Sequence, residues 1–253
     1  MPACPLPDEV FAERQFPAGA PVLKGDITFE EFEAILFSRT GNSSPGEDML
    51  SYQMWQAAPK HIRWNLYLAV LAMLRGHRLP KARWKVAMVA LLLKKLEDIH
   101  LLENTRPICL LRCGLIKMFT TILKIRLDAV SERYHIHEEE EEGFRECRST
   151  RRAHFKHQCV IAEARRMCSS LFITYLDFKN FFNSINKEVL FNVLARLGMH
   201  PDDLHILRTY YEDMAFFVRN SCGDTCLIPL DGNGLHQGCP LSPSLGGFLI
   251  LIL

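Results

Sequence analysis

The sequence predicts an α+β fold, and three observations carry that prediction. Helix-spaced apolar positions with capping residues run through residues 28–75 and 110–168. A nearly continuous apolar run at 84–93 has the length of a strand, and strand composition with a hairpin signal returns between 171 and 230. The 253 residues are 48% hydrophobic and 23% charged, which suits one large domain or two small ones and excludes a disordered chain.

Residues 1–25, with five prolines, form a leader without a fold of its own. Thr28 and Glu31 then make a capping box ahead of Phe29, Phe32, Ile35 and Leu36, a helix ending near Arg39. Residues 41–46 are a turn-rich loop. Helical patterns resume at about 47–58 and 60–75, divided by Pro59 and closed by Gly76. The run at 84–93 reads as a buried strand, and long helices cover 110–133 and 152–168. The glutamates at 138–142 make a solvated loop. A strand follows at 171–178, Asn186 caps a helix over 187–197, and Pro201 opens another to about 213. Residues 215–220 and 225–230 are short strands around Cys222-Gly-Asp224. A glycine-rich loop at 231–238 leads into a helix beginning near Ser242-Pro243.

The net charge of +1 is a cancellation of blocks. Residues 60–126 carry +11 and residues 148–166 carry +5, against −6 over 1–59, −6 over 127–147 and −3 in the remainder. Nine basic residues and no acid lie between Lys60 and Lys95. Such a segment is either a solvated basic face or a surface for polyanions. No apolar run approaches the ~18–20 residues of a membrane-spanning helix, and the first residues lack the basic and apolar regions of a signal peptide. Nine scattered cysteines read as reduced thiols in an intracellular compartment, with nucleus or cytoplasm undecided.

Asp177 ends an apolar segment, where a carboxylate is either a metal ligand or a helix cap. Gly232-x-Gly234 lacks the third glycine at dinucleotide-fingerprint spacing. The pairs Cys109-x3-Cys113 and Cys222-x3-Cys226 lack the knuckle spacing of zinc sites, and His154, His157 and Cys159 read as surface residues of a helix.

The order of motifs says more than any one of them. Asn42-Ser-Ser-Pro-Gly-Glu-Asp48 comes first, followed by Leu79-Pro80, Trp84-Lys85, Leu91-Leu-Leu-Lys-Lys95 and Glu103-Asn-Thr-Arg-Pro-Ile-Cys-Leu-Leu111. Lys117, Ile122-Leu-Lys-Ile-Arg-Leu127, Gly143-Phe-Arg-x-x-Arg-Ser-Thr150, the segment 172–185 and Gly234-Leu-His-Gln-Gly-Cys-Pro-Leu-Ser-Pro243 complete the series. From about residue 26 onward the chain resembles the reverse transcriptases of non-LTR retrotransposons. The resemblance implies a right-hand polymerase fold with fingers over 26–168 and a partial palm over 169–253, an antiparallel sheet with packed helices and no thumb. It implies two Mg²⁺ (or Mn²⁺) ions, an RNA template, a DNA primer and deoxynucleoside triphosphates (dNTPs), and no membrane.

The same resemblance assigns residues. Asp177 would be a catalytic carboxylate and metal ligand, with the backbone carbonyl of Phe178 as a second metal oxygen. Lys94 and Arg106 would clamp the triphosphate, Phe182 would exclude a ribose 2′-hydroxyl, and Gln237 and Gly238 would line the nucleotide pocket. Template and primer phosphates would meet Lys60, Arg63, Lys81, Arg83, Lys85, Arg145 and Arg148. Departures from the family pattern are Phe181 for a small residue, which is expected to crowd the nucleotide, Asn183 for a second Asp and His236 for Pro. The sequence stops inside an apolar helix before the family's motif x-x-D-D. The expectation is therefore a fragment inactive alone, and a non-catalytic nucleic-acid-binding remnant or a group II intron maturase-type enzyme are the alternatives.

Overall fold

Each helix that the sequence caps begins where its cap lies. The computed structural model describes residue 11 and residues 14–40, 43–77, 81–94, 101, 104–220, 223–230 and 232–251. The expectations that rest on residues 41–42, 79–80, Lys95, Glu103, Cys222 and Asp231 lie outside the described residues. In α1 (Phe29–Phe37) the Thr28 hydroxyl accepts from the Glu31 N–H, and the Glu31 carboxylate accepts from the Thr28 N–H. Two of the four unsatisfied donors of the first turn are thus met. Ser51 caps α2 (Tyr52–Ala57), shorter than the predicted 47–58 because 47–48 form a turn and Met49 takes φ 57°. After Pro59 comes α3 (Lys60–Leu74).

β1 (Ala87–Leu93) and β2 (Thr105–Leu110) pair antiparallel, with Val89 opposite Cys109 and Leu92 opposite Arg106. β1 is not the wholly buried strand expected. Ala87, Met88 and Val89 are buried, whereas Leu91, Leu92 and Leu93 are exposed because that end of the pair projects past the core. The ladder holds residues through Leu110 extended, so the predicted helix from 110 starts late. A π turn at Cys113–Lys117 leads into α4 (Met118–Arg133). Ser149 caps α5 (Thr150–Arg166).

Residues 171–178 correct the prediction most sharply. They form no strand, and all eight are exposed. Strand composition alone does not make a strand, because its N–H and C=O groups need a neighbour to bond. Among the described residues no strand pairs with this segment, since β1 pairs with β2 on one side and with β3 (Ala215–Asn220) on the other, and its Tyr175 hydroxyl meets the His157 ring (3.2 Å).

The remaining helices are α6 (Phe181–Ser184), α7 (Lys187–Arg196), capped by Asn186, and α8 (Pro201–Tyr211). The predicted strand at 225–230 is reduced to β5 (Ile228–Pro229), and β4 (Gly223–Asp224) falls where the turn was expected. Between them the Thr225 hydroxyl accepts the Val218 N–H and interrupts the ladder. α9 (Ser242–Ile250) ends the described chain. The sheet order is β2-β1-β3-β4, with β5 also on β3. The β1–β3 pair is parallel and the others antiparallel, so the sheet is mixed rather than antiparallel throughout. The parallel pair needs a crossover, which the intervening helices provide.

One apolar cluster joins these elements. Leu36, Val70, Leu74, Leu111, Leu123, Leu194, Leu207, Leu245 and Phe248 are fully buried in it, each contributing about 1.5–3 kcal/mol. The leader belongs to the cluster too: residues 14–27 carry no helix or strand, yet Phe11, Phe16 and Leu23 are buried there. The Asp203 carboxylate, in the first turn of α8, accepts the N–H groups of Val22 (2.6 Å), Leu23 (2.9 Å) and Lys24 (2.9 Å). No described helix is long and apolar enough to cross a membrane.

Removing that carboxylate leaves three donors without their acceptor. Asp203→Ala is expected to lower stability by about 2–3 kcal/mol in urea unfolding and to open the 14–25 segment to protease. An unchanged unfolding midpoint would show that this contact does not hold the leader.

Candidate functional site

The cleft is assembled from three segments distant in sequence. The first is the projecting end of the β1–β2 pair, where the Lys94 N–H donates to the Asn104 carbonyl (2.7 Å) and Arg106 stands exposed on β2. The second is residues 177–183, running into α6. The third is the glycine-rich loop, which is bonded to both of the others. Gly234 N–H donates to the Ile185 carbonyl (2.7 Å), Leu235 N–H to Phe182 (2.8 Å), and Cys109 N–H to Gln237 (2.6 Å). Gly238 sits at φ +116°, and a Cβ there would lie 2.6 Å from the Cys109 carbonyl oxygen. Only glycine allows this approach.

These bonds enclose a cleft of about 370 Å³, and six of the predicted residues line it: Lys94, Arg106, Asp177, Phe178, Phe182 and Gln237. Gly238 lies behind it, against β2. Thr105, Lys179 and Asn180 also line the cleft. The sequence carried no signal for them beyond nearness to Asp177 and Arg106. Three cationic side chains facing one carboxylate suit a polyanionic ligand such as a polyphosphate.

Phe181 is accommodated. Although it borders the cleft, its ring lies over Gly246 of α9, where a Cβ would come within 2.9 Å of the ring. A glycine elsewhere in the chain thus makes room for part of the ring, which still lines the cleft.

The Asp177 carboxylate caps no helix among the described residues, which removes one of the two sequence readings. This carboxylate and the Phe178 carbonyl are oxygen donors of the kind a hard dication takes, but among the described residues no group of three or more His, Cys, Asp or Glu could hold a metal ion. These two donors do not fit a pair of ions. Cys109 is buried, and burial pushes its thiol up to about 12, so it stays protonated.

The nucleic-acid set is redistributed. Lys60, Lys81 and Arg83 are exposed, with Lys60 over the Phe29 ring and Lys81 over the Trp84 ring. Arg63 is paired with Glu33 (2.6 Å). Lys85 is only 3% exposed and donates to the carbonyls of Thr209 (3.0 Å) and Glu212, so it does not face a nucleic acid. Burial lowers its pKa. Arg145 and Arg148 are taken up within the fold: Arg145 pairs with Glu132 on α4 (2.7 Å) and donates to the Glu141 carbonyl of the glutamate loop (3.1 Å), and Arg148 pairs with Glu139 of that loop (2.9 Å). That loop is correspondingly more than a solvated run, since Glu142 also meets Arg152 (3.1 Å) and Lys156 (2.7 Å) on α5.

Comparison with known proteins then decides the family. The family profile described as reverse transcriptase (RNA-dependent DNA polymerase) matches residues 93–250, which contain the whole cleft. The chain belongs to this family. It is also 26% identical over 227 residues, 88% of its length, to the Transposon TX1 uncharacterized 149 kDa protein of Xenopus laevis. The chain spans 17% of that relative's length. Both findings bear out the resemblance to reverse transcriptases of non-LTR retrotransposons.

One residue of this reverse transcriptase domain is chemically out of place. His236, beside Gln237, is 1% exposed, and neither ring nitrogen has a hydrogen-bond partner. Burial, with Lys187 adding repulsion, lowers its pKa to about 4. The unfolded chain takes up this proton near pH 6.5, the folded chain only near 4. Stability from this group is therefore complete above 6.5 and lost as pH falls towards 4, by about 3 kcal/mol. Urea unfolding at pH 7 and pH 4.5 is expected to show a smaller acid loss for His236→Leu than for the natural chain. Equal losses would contradict the assignment.

Proposed function

We propose that the cleft binds a deoxynucleoside triphosphate, and that this domain serves RNA-templated DNA synthesis. One observation carries the reading: Lys94, Arg106, Asp177, Phe178, Phe182 and Gln237 meet in a single cleft although 143 residues separate the first from the last. Lys94 and Arg106 neutralise the triphosphate, the arginine by its planar fork. Phe182 lies against the sugar and excludes a 2′-hydroxyl. Gln237, fixed through its own carbonyl to β2, supports the base of the nucleotide and its templating partner. Asp177 and the Phe178 carbonyl accept a phosphate-borne Mg²⁺ (or Mn²⁺), whose chemistry is to neutralise charge and activate a primer hydroxyl. Lys60, Lys81 and Arg83 meet template or primer phosphates. Residues 26–168 serve as fingers and residues 169–253 as part of a palm.

A second reading is favoured by the single carboxylate among the described residues lining the cleft: by themselves the 253 residues bind nucleotide and nucleic acid without extending a primer. Two octahedral ions need more anionic oxygens than Asp177 supplies.

Equilibrium binding of dATP is expected to weaken about tenfold in Arg106→Ala, the loss of one charge-assisted contact. Affinity unchanged by that substitution would remove the triphosphate assignment. Primer-extension assays of the same chain are expected to give no product. Mg²⁺-dependent incorporation that Asp177→Asn abolishes would overturn the non-extending reading and leave the nucleotide site standing.

A further inference from the structure

We infer that Phe144 is a positioning residue that holds the Phe182 ring and sets how strictly the cleft rejects a ribose. The inference rests on the proposed placement of Phe182 against the sugar. Phe182 is flanked by two aromatic rings. Phe181 meets it edge-on at 5.4 Å between centroids, and Phe144 does so at 6.1 Å with an interplanar angle of 65°. Edge-to-face pairs at these spacings are attractive and orient both rings. Phe181 is itself backed by Gly246 and by Phe178 (5.5 Å), and the Phe182 carbonyl is held by the Leu235 N–H (2.8 Å). The backbone and one aromatic contact of the ring are therefore fixed from within the fold, and Phe144 supplies a second aromatic contact.

Phe144 is not there for the core. It is 52% exposed, and its backbone is left-handed at φ 58°, a conformation unfavourable for a bulky residue. The next residue keeps it there. Arg145 grips Glu132 through two parallel bonds (2.7 and 2.9 Å) and donates to the carbonyls of Glu138 and Glu141 (3.1 Å for the latter). With its side chain 8% exposed, Arg145 is a clamp that fixes the turn. Strained residues that a surrounding network over-determines are found where a side chain must be aimed. Here the aimed side chain is Phe144 and its target is the Phe182 ring, 38 residues away in sequence.

The test is equilibrium dialysis of the full chain with dATP and with ATP in the presence of Mg²⁺. The natural chain is expected to prefer dATP roughly tenfold, the scale on which an apolar wall rejects an added hydroxyl. Phe182→Ala is expected to erase the preference. Phe144→Leu is expected to reduce it to roughly twofold by strengthening ATP binding alone, and Phe144→Tyr, which keeps the ring, to retain it. Arg145→Lys keeps the charge and loses the two-bond grip, so it is expected to act like Phe144→Leu and provides a second route should the leucine variant not fold. No preference in the natural chain, or a preference that survives Phe182→Ala, would remove the sugar-facing reading and this inference with it. A preference lost in Phe182→Ala but intact in Phe144→Leu or Arg145→Lys would overturn the inference alone. So would equal weakening of both nucleotides in Phe144→Leu, the mark of a merely structural role.

Discussion

The cleft depends on one close backbone approach, between β2 and the loop that follows β5. The Cys109 N–H meets the Gln237 carbonyl at 2.6 Å, and the missing side chain of Gly238 leaves room for the Cys109 carbonyl. Arg106 lies three residues before Cys109, and Gln237 is itself the acceptor. The bond therefore sets the distance between the two walls. Behind it, Cys239 is buried against the Tyr210 hydroxyl (3.4 Å), and α9 places Gly246 beneath Phe181. A wider separation at Gly238 would displace the phosphate-binding wall, the glycine loop and the aromatic floor together.

Local features of this fold were legible because their causes are local. The Thr28–Glu31 box, the Asn186 cap and Pro201 at a first turn each act within four residues, and each helix begins there. The cleft residues were legible for a different reason. Their order along the chain matches a family, and six of them meet although no spacing rule links Lys94 to Gln237. Strand pairing was not legible. Residues 171–178 have strand composition but no neighbouring strand among the described residues to pair with their backbone. At Thr225 a side-chain oxygen takes the bond that a strand would have given to the backbone.

Charge was the least legible property, since counting ions along a chain does not show their partners. Much of the basic block at 60–126 serves the fold. Lys117 donates to the Ser44 carbonyl (2.9 Å), and Arg126 holds the carbonyls of Leu23 and Asp26 (both 2.6 Å). Lys85 and Lys187 converge on the C-terminal end of α8, Lys85 on Thr209 and Glu212, Lys187 on Tyr211 (3.3 Å) and also on Leu230 (2.6 Å). Cations are favourable at that end of a helix, and these two tie it to β1 and to the glycine loop. Of the seven cations that the sequence set against nucleic acid, Lys60, Lys81 and Arg83 are the exposed ones.

The most direct measurement of the central claim is photo-crosslinking of the chain with an azido-substituted deoxyadenosine triphosphate, followed by peptide mapping. A cleft built on the β2–loop junction puts adducts within residues 104–110, 177–183 and 234–238, and adds that Gly238→Ala loses them while the chain stays folded. Adducts concentrated in another groove, such as the one beside Glu188 and Arg208, or adducts unchanged in Gly238→Ala, would contradict it.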